Sequence, residues 1–286
     1  MSLILTAGNF EDCIDRVRAQ LLDNSDIVHS RRWQGIEVAN NPNMACMELA
    51  HVHLEVPLDG YEHDLEAYAK HIKPDLPWCD DHFDERVCGF PINPGTQFLN
   101  WPWNKGRGAE SFLDRDGKFN HNYMERYWPK LARRVLQPTA TKDQFRSYLR
   151  DEVQLMGSAP PAHKGIMYEY GDLGDVVELL LDDPLTRQAY LPVWFPEDTG
   201  GGSKRAPCTI GYHFMMRNDR LSINYHIRSC DFVKHFRNDL YLTARLLVWV
   251  LRQLQSRNPL WKEVTVGDFH MQIGSLHSFK PDWELI

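Results

Sequence analysis

The 286-residue sequence predicts an α+β protein in which a mostly antiparallel sheet packs against helices, one of them long and buried at the centre. Three observations carry this. The segments "TIGYHFMMRND" and "RLSINYHIRSC" form two strands joined at a polar turn, the second alternating Leu221, Ile223, Tyr225 and Ile227 with Ser222, Asn224, His226 and Arg228. Residues 239–256, "DLYLTARLLVWVLRQLQS", are apolar around most of a helix circumference, a pattern that suits a helix enclosed on nearly all sides. "EVTVGDFHMQIGSLH" then supplies a final strand containing Asp268 and His270.

The earlier elements follow in chain order. Residues 10–22 have the spacing of an amphipathic helix, and "MELAHVHLEVPL" (47–58) that of a strand with partial alternation, followed by a polar, helix-like insert. Residues 89–122 are rich in Pro, Gly, Asn and Trp; a long ordered loop of this kind in a compact domain usually has a function. "GDLGDVVELLLDDPLTR" (171–187) is a helix closed by a turn. The segment 194–207, with three consecutive glycines, is a flexible connection that ends at Cys208. No internal repeat divides the chain, so 1–286 is taken as one domain.

Composition limits the function. A hydrophobic content of 43% is enough for a sizeable core, and a net charge of −7 argues against a protein that coats nucleic acid. No apolar run approaches membrane-spanning length, and the N-terminus has neither a basic flank nor a cleavage site. The expectation is a cytoplasmic protein with no nucleic-acid or membrane partner. Six scattered cysteines are too few for a disulfide scaffold and are expected to be reduced thiols.

Cys208 follows a proline at the mouth of a strand, in "RAPCTIGYHF". It can be a small buried hydrophobe, or a nucleophile whose thiolate Arg205 and Arg228 favour. Three motifs bear on the choice: "PC" at 207–208, "RSCD" beginning twenty residues after the cysteine, and "GDFH" at 267–270. In this spacing they resemble the signature of thymidylate synthases and their pyrimidine-nucleotide hydroxymethylase relatives. The resemblance is strongest over 171–277, extends to 79–128, and leaves about 1–75 divergent.

The resemblance implies a thymidylate synthase-like fold, a homodimer with shared active sites, and a covalent mechanism. Cys208 adds to carbon 6 of a pyrimidine nucleoside monophosphate, and carbon 5 then attacks the methylene of 5,10-methylenetetrahydrofolate. Arg228 and Ser229 resemble phosphate anchors. Arg187 matches the first arginine of a pair that reaches into the partner's site, and because Gln188 stands where the second would be, Arg31 or Arg32 is expected to compensate. Asp231 resembles the pterin contact, and Cys230 a structural cysteine. Glu85, thirty-eight residues before Tyr123, resembles the glutamate that organises water and moves protons. Tyr123 completes the implied substrate set, and His270 and Asp268 resemble sugar and proton-network residues, although the tyrosine expected two positions past the histidine is Gln272.

Eight positions beyond Asp231, where thymidylate synthases have the asparagine that reads uracil, this chain has Asp239. A carboxyl group accepts from the amino group of cytosine and, if protonated, also serves its ring nitrogen. The implied activity is 5-hydroxymethylation of dCMP or CMP, with water adding to the carbon-5 methylene. The divergent "NWPWNKGRG" and the shorter C-terminus are expected to favour water. Asp239 can instead cap the following helix, and Asn238 can be the base-reading residue if the loop shifts by one. Alternatives to the activity are methylation or hydroxymethylation of dUMP, a nucleotide-binding module without chemistry, and a zinc module built from His51, His53, Cys79, His82 and Cys88.

Overall fold

The computed structural model describes residues 2–33, 36–61, 63–98, 100–102, 113–119, 121–130, 171–199 and 205–286. Most of the Pro- and Trp-rich stretch past residue 102 and the glycines at 200–202 lie outside the described residues.

The architecture is α+β. Helix α1 (Phe10–Asn24) starts at Asn9, whose side chain accepts from the Asp12 amide, and it buries Phe10, Cys13, Ile14, Val17 and Leu21, spaced three and four apart along one face. Strand β1 (Leu3–Thr6) precedes it, and β2 (Asp26–His29) and the small β3 (Arg32–Trp33) and β4 (Ile36–Glu37) hairpin follow. The partial alternation of β5 (Ala45–Pro57) has a local cause. His51 adopts φ 55°, and the ladder to β9 (Thr265–Phe279) passes from Ala50↔Ser275 to Val52↔Ile273 with His51 left out. The register is the same on both sides of this left-handed residue, and the buried side changes parity across it, from Leu49 to Val52, Leu54 and Val56.

The polar insert forms α2 (Leu65–Ile72) and α3 (Trp78–Val87), and α4 (Tyr123–Tyr127) is capped by Asn122. Helix α5 (Leu173–Asp182) opens with a reciprocal capping box between Asp172 and Asp175. Strand β6 (Tyr190–Pro192) then leads to the hairpin of β7 (Thr209–Arg217) and β8 (Arg220–Asp231). Asn218 and Asp219, at φ 51° and 55°, make the two-residue turn that matches strand twist. Helix α6 (Phe236–Arg257) is the predicted long helix, buried along most of its length from Phe236 to Leu254.

The seven-stranded sheet runs β1-β5-β9-β8-β7-β6, with β2 also on β5. Four of its six strand pairings are antiparallel, as expected, and two are parallel. The sheet is mixed: β8 and β9 are parallel over their whole pairing, as are β1 and β5. The reason is α6, which carries the chain back across the sheet between β8 and β9, and a crossover of that length returns the strand in the same direction. Helices lie against the face bearing Val52, Leu54, Ile223, Tyr225, Phe269 and Met271. No described helix is long and apolar enough to cross a membrane.

Candidate functional site at the head of the central hairpin

Cys208 precedes β7, where the hairpin ends meet: the Arg228 amide donates to the Cys208 carbonyl at 2.9 Å. Arg228 lies across the same junction. Its Nε donates to the Pro207 carbonyl at 2.8 Å and its Nη2 to the Ala206 carbonyl at 3.0 Å, with the Cys208 Sγ 3.9 Å from Nη2. The guanidinium also sits 5.5 Å from the Trp194 ring. It therefore holds the Pro207–Cys208 turn as well as charging it.

The expectation of a favoured thiolate needs revision. Burial pushes the Cys208 thiol above its usual value; Arg228 and Arg205 pull it down, but Asp239 and Asp231 add to the upward push. Two guanidinium groups do not offset burial combined with two nearby carboxyls.

Asp239 lies in the first turn of α6, half-buried, and does not cap the helix: His235 occupies the N-cap. Burial raises its carboxyl to about 6, against the opposing pull of Arg86 and of the Cys230 thiol, whose Sγ lies 3.5 Å from Oδ2. Cys230, buried in the core, donates to this carboxylate as well as packing. Asn238 faces elsewhere. Its Oδ1 accepts from the Asp75 amide at 2.9 Å and the Cys79 thiol at 3.1 Å, and its Nδ2 donates to Asp75 Oδ2 at 2.8 Å. Both ends of that amide are occupied in tying α6 to the start of α3.

Tyr123 is half-buried and lies within electrostatic reach of the thiol. Its hydroxyl shares a 3.0 Å hydrogen bond with Thr209 Oγ1, which shares another at 2.9 Å with the Tyr225 hydroxyl. Burial, with Cys208 and Asp239 nearby, raises the Tyr123 phenol to about 12. Glu85, on α3, accepts from the Gln97 amide at 3.1 Å. Burial pushes its carboxyl up, but His82 and the amides of Gln97 and Thr96 outweigh it, so the group lies below its usual value. Gly95 leaves room for this carboxylate, since a Cβ there would stand 2.3 Å from Oε2.

Asp231 closes β8, its Oδ1 accepting from the amides of Val233 and Lys234 at 3.0 Å each. Next to it, Trp101 stacks on His235 with centroids 5.2 Å apart and planes at 6°. Burial lowers His235 to about 4, so the ring is neutral at pH 7. Ser229 is half-buried opposite Ser275.

The remaining expected residues lie apart from this cluster. Arg31 and Arg32 are exposed on the β3–β4 hairpin and face Glu37 at 3.4 and 3.6 Å. Arg187 is exposed between α5 and β6, and its carbonyl is engaged by His213 at 3.0 Å. His270 pairs with Asn224 and Glu55, four residues along β8 from Arg228. Asp268 faces Arg220 at 3.4 Å near the hairpin turn, away from the thiol. Among the described residues no three His, Cys, Asp or Glu side chains converge to hold a metal, so the zinc grouping does not assemble.

Several cluster members went unread in the sequence: Thr209, Tyr225, Trp194, His235 and Arg86. The signal available for Arg86 was its helical spacing with His82 and Glu85 in "HFDER". A supporting pair is Arg126 and Asp198, whose side chains are 10% and 8% exposed. Arg126 donates twice to the carboxylate, at 2.6 and 2.8 Å, and to the Val193 carbonyl at 3.0 Å, thereby fixing the segment that carries Trp194. Arg126→Ala is expected to cost roughly 3–5 kcal/mol, because it leaves a buried carboxylate unpaired. Urea denaturation checks this, and a loss below 1 kcal/mol would mean that the pair is solvated.

Fold and site together define an α+β protein with a half-buried cysteine held by arginine and carboxyl groups at the end of a mixed sheet. Compared with known proteins, the chain matches no family model and no curated protein.

Proposed function

We propose that the chain is a folate-dependent pyrimidine-nucleotide 5-hydroxymethylase with a thymidylate synthase-like fold, acting on dCMP or CMP. The observation that carries the reading is that Asp239 shares the electrostatic surroundings of Cys208 while Asn238 is fully engaged with Asp75 and Cys79. A carboxyl group that titrates near pH 6 accepts from the exocyclic amine of cytosine in either state and, when protonated, donates to ring N3. Uracil presents the opposite pattern.

In the proposed reaction Cys208 Sγ adds to carbon 6, and the charge that develops toward N3 is met by the Asp239 proton. Arg228 holds the turn that presents the thiol and, with Ser229, meets the phosphate. Tyr123, protonated and fixed by Thr209, stands beside the adduct. Carbon 5 gives up its hydrogen as a proton. Glu85, below its usual carboxylate range, orders the water that adds to the carbon-5 methylene, and Cys208 Sγ leaves carbon 6 as the product forms. Bound 5,10-methylenetetrahydrofolate supplies the one-carbon unit at the methylene level. The chain's own residues fit such a ring: Asp231 offers a carboxylate oxygen to ring N–H groups, and the Trp101–His235 stack offers a flat, uncharged wall.

Tritium release from carbon 5 of CMP, dCMP and dUMP, with and without methylenetetrahydrofolate and with the product mass measured, tests the reading. Folate-dependent release from a cytosine nucleotide is expected, with a product heavier by CH2O, a hydroxymethyl group in place of the carbon-5 hydrogen. Release from dUMP alone would move the assignment to thymidylate synthase-type chemistry, and no release from any of the three would end it.

The reading includes a homodimer in which Arg187 of one subunit serves the phosphate in its partner, consistent with its exposure here. Mixing inactive Cys208→Ser with inactive Arg187→Ala is expected to restore up to about a quarter of wild-type activity, since random exchange makes half the dimers mixed, each with one intact site. Absence of complementation between subunits shown to exchange would place Arg187 elsewhere.

A further inference from the structure

Helix α3 turns His82, Glu85 and Arg86 toward the interior, and the last of these is the least expected. Arg86 is 5% exposed, and no carboxylate of the described residues lies within ion-pair distance of it. A buried guanidinium without a direct counter-ion is costly, so its neighbours indicate what it does. Its carbon lies 4.0 Å from the centre of the Tyr123 ring, the phenols of Tyr127 and Tyr212 and the carboxyl of Asp239 lie within electrostatic reach, and its Nε donates to His82 Nε2 at 3.0 Å.

That last hydrogen bond has a chemical consequence. Arginine can only donate, so His82 Nε2 must be the bare nitrogen and the ring proton must sit on Nδ1. Nδ1 faces Glu85 Oε2 at 3.9 Å, too long for a hydrogen bond, and both atoms are buried without another partner. Trp78, stacked on the imidazole at 4.9 Å and 16°, fixes the ring plane. A donor and an acceptor left facing each other at this distance can close when a ligand tightens the site.

Resting on the functional reading above, we propose that Arg86 is a positioning residue for the carbon-5 chemistry. Without touching the nucleotide it dictates which nitrogen of His82 carries the proton, and so how Glu85 is held; it also supplies a fixed positive charge that opposes the effect of burial on Tyr123 and Asp239. The charged and titratable groups around it are His82, Glu85, Asp239, Tyr123, Tyr127 and Tyr212. Burial and the Arg86 charge lower His82 to about 4, so the imidazole stays neutral through the working range.

The first measurement needs no activity and no variant of Arg86. Nitrogen-15 shifts of His82 in the wild type, assigned by the signal lost in His82→Gln, are expected to show the neutral Nδ1–H tautomer from pH 5.5 to 8. An Nε2–H or a charged ring would overturn the proposal whatever the protein's substrate. The second measurement is the pH dependence of Asp239, followed by carbon-13 of labelled aspartate and assigned with Asp239→Asn. In Arg86→Gln the midpoint should rise, because the opposing charge is gone, and in Arg86→Lys it should stay near the wild-type value; an unchanged midpoint in folded Arg86→Gln would sink the electrostatic half. If Arg86→Gln does not fold, Arg86→Lys decides by kinetics. It should lower kcat by roughly 10- to 100-fold, on the scale of misplacing a proton-transfer group, with the Kd for dCMP or CMP changed less than about threefold. Equal losses in Kd and kcat would make Arg86 merely structural.

Discussion

Cys208→Ser is expected to abolish turnover, a loss of roughly 10⁴-fold or more on the scale that removal of a covalent nucleophile costs, while nucleotide binding stays within a few-fold of wild type. The reason lies in how the residue is held. The carbonyl of Cys208 accepts from the Arg228 amide, and Arg228 also holds the Ala206 and Pro207 carbonyls, so the turn does not depend on the sulfur. A hydroxyl there keeps the shape of the site and loses the nucleophile. Turnover assays and calorimetry with the nucleotide check the two halves, and near-normal product formation would exclude the covalent mechanism. A second readout follows from the raised thiol: in the free protein Cys208 should react with iodoacetamide more slowly than an unperturbed thiol at pH 7 and accelerate into the alkaline range.

Asp239→Asn is expected to change the ratio of kcat/KM for dUMP over the cytosine nucleotide by on the order of 100-fold or more, since two hydrogen-bonding contacts reverse and each mismatch costs roughly 1–3 kcal/mol. Phosphate dependence should be little affected. The cytosine reaction of the wild type should fall as pH rises through about 6, where the carboxyl loses its proton, and the variant should lack that limb. A wild type that already prefers dUMP would overturn the assignment. Stability gives a check free of substrate. The folded-state value, about 6, lies above the ordinary 3.8, so the native state binds the extra proton between these values. The associated stability is fully present below about pH 4 and is lost as pH rises through 6. Asp239→Asn has no such loss, so its stability relative to wild type should increase from pH 4 to 7 by on the order of 1–3 kcal/mol. A difference independent of pH would mean that the carboxyl is solvated.

Which features were legible in the sequence follows the range of the interactions behind them. The hairpin turn at Asn218 and Asp219, the apolar circumference of α6 and the amphipathic face of α1 depend on neighbours a few residues away, and each was readable from spacing. The β5 irregularity was visible only as weak alternation, because the left-handed His51 that causes it is a backbone state, not a residue pattern. The parallel pairing of β8 with β9 was missed although α6 was recognised, since strand direction depends on where the helix returns the chain.

For the candidate site, the sequence by itself carried the motifs that link Cys208, Arg228, Asp231 and Asp239, and the spacing that joins Glu85 to Tyr123. Only the tertiary structure shows that Asn238 is engaged by Asp75 and Cys79, more than 150 residues away, while Asp239 meets the Cys230 thiol. It also reversed the sign expected for the thiol, because nearby arginines are visible in the chain whereas burial and facing carboxyls are not. Arg86 has the same origin. Its place on α3 was written in the sequence, but the ring of Tyr123 beneath it and the imidazole acceptor beside it make it a buried charge rather than a surface one, and they exist only once the helices have packed.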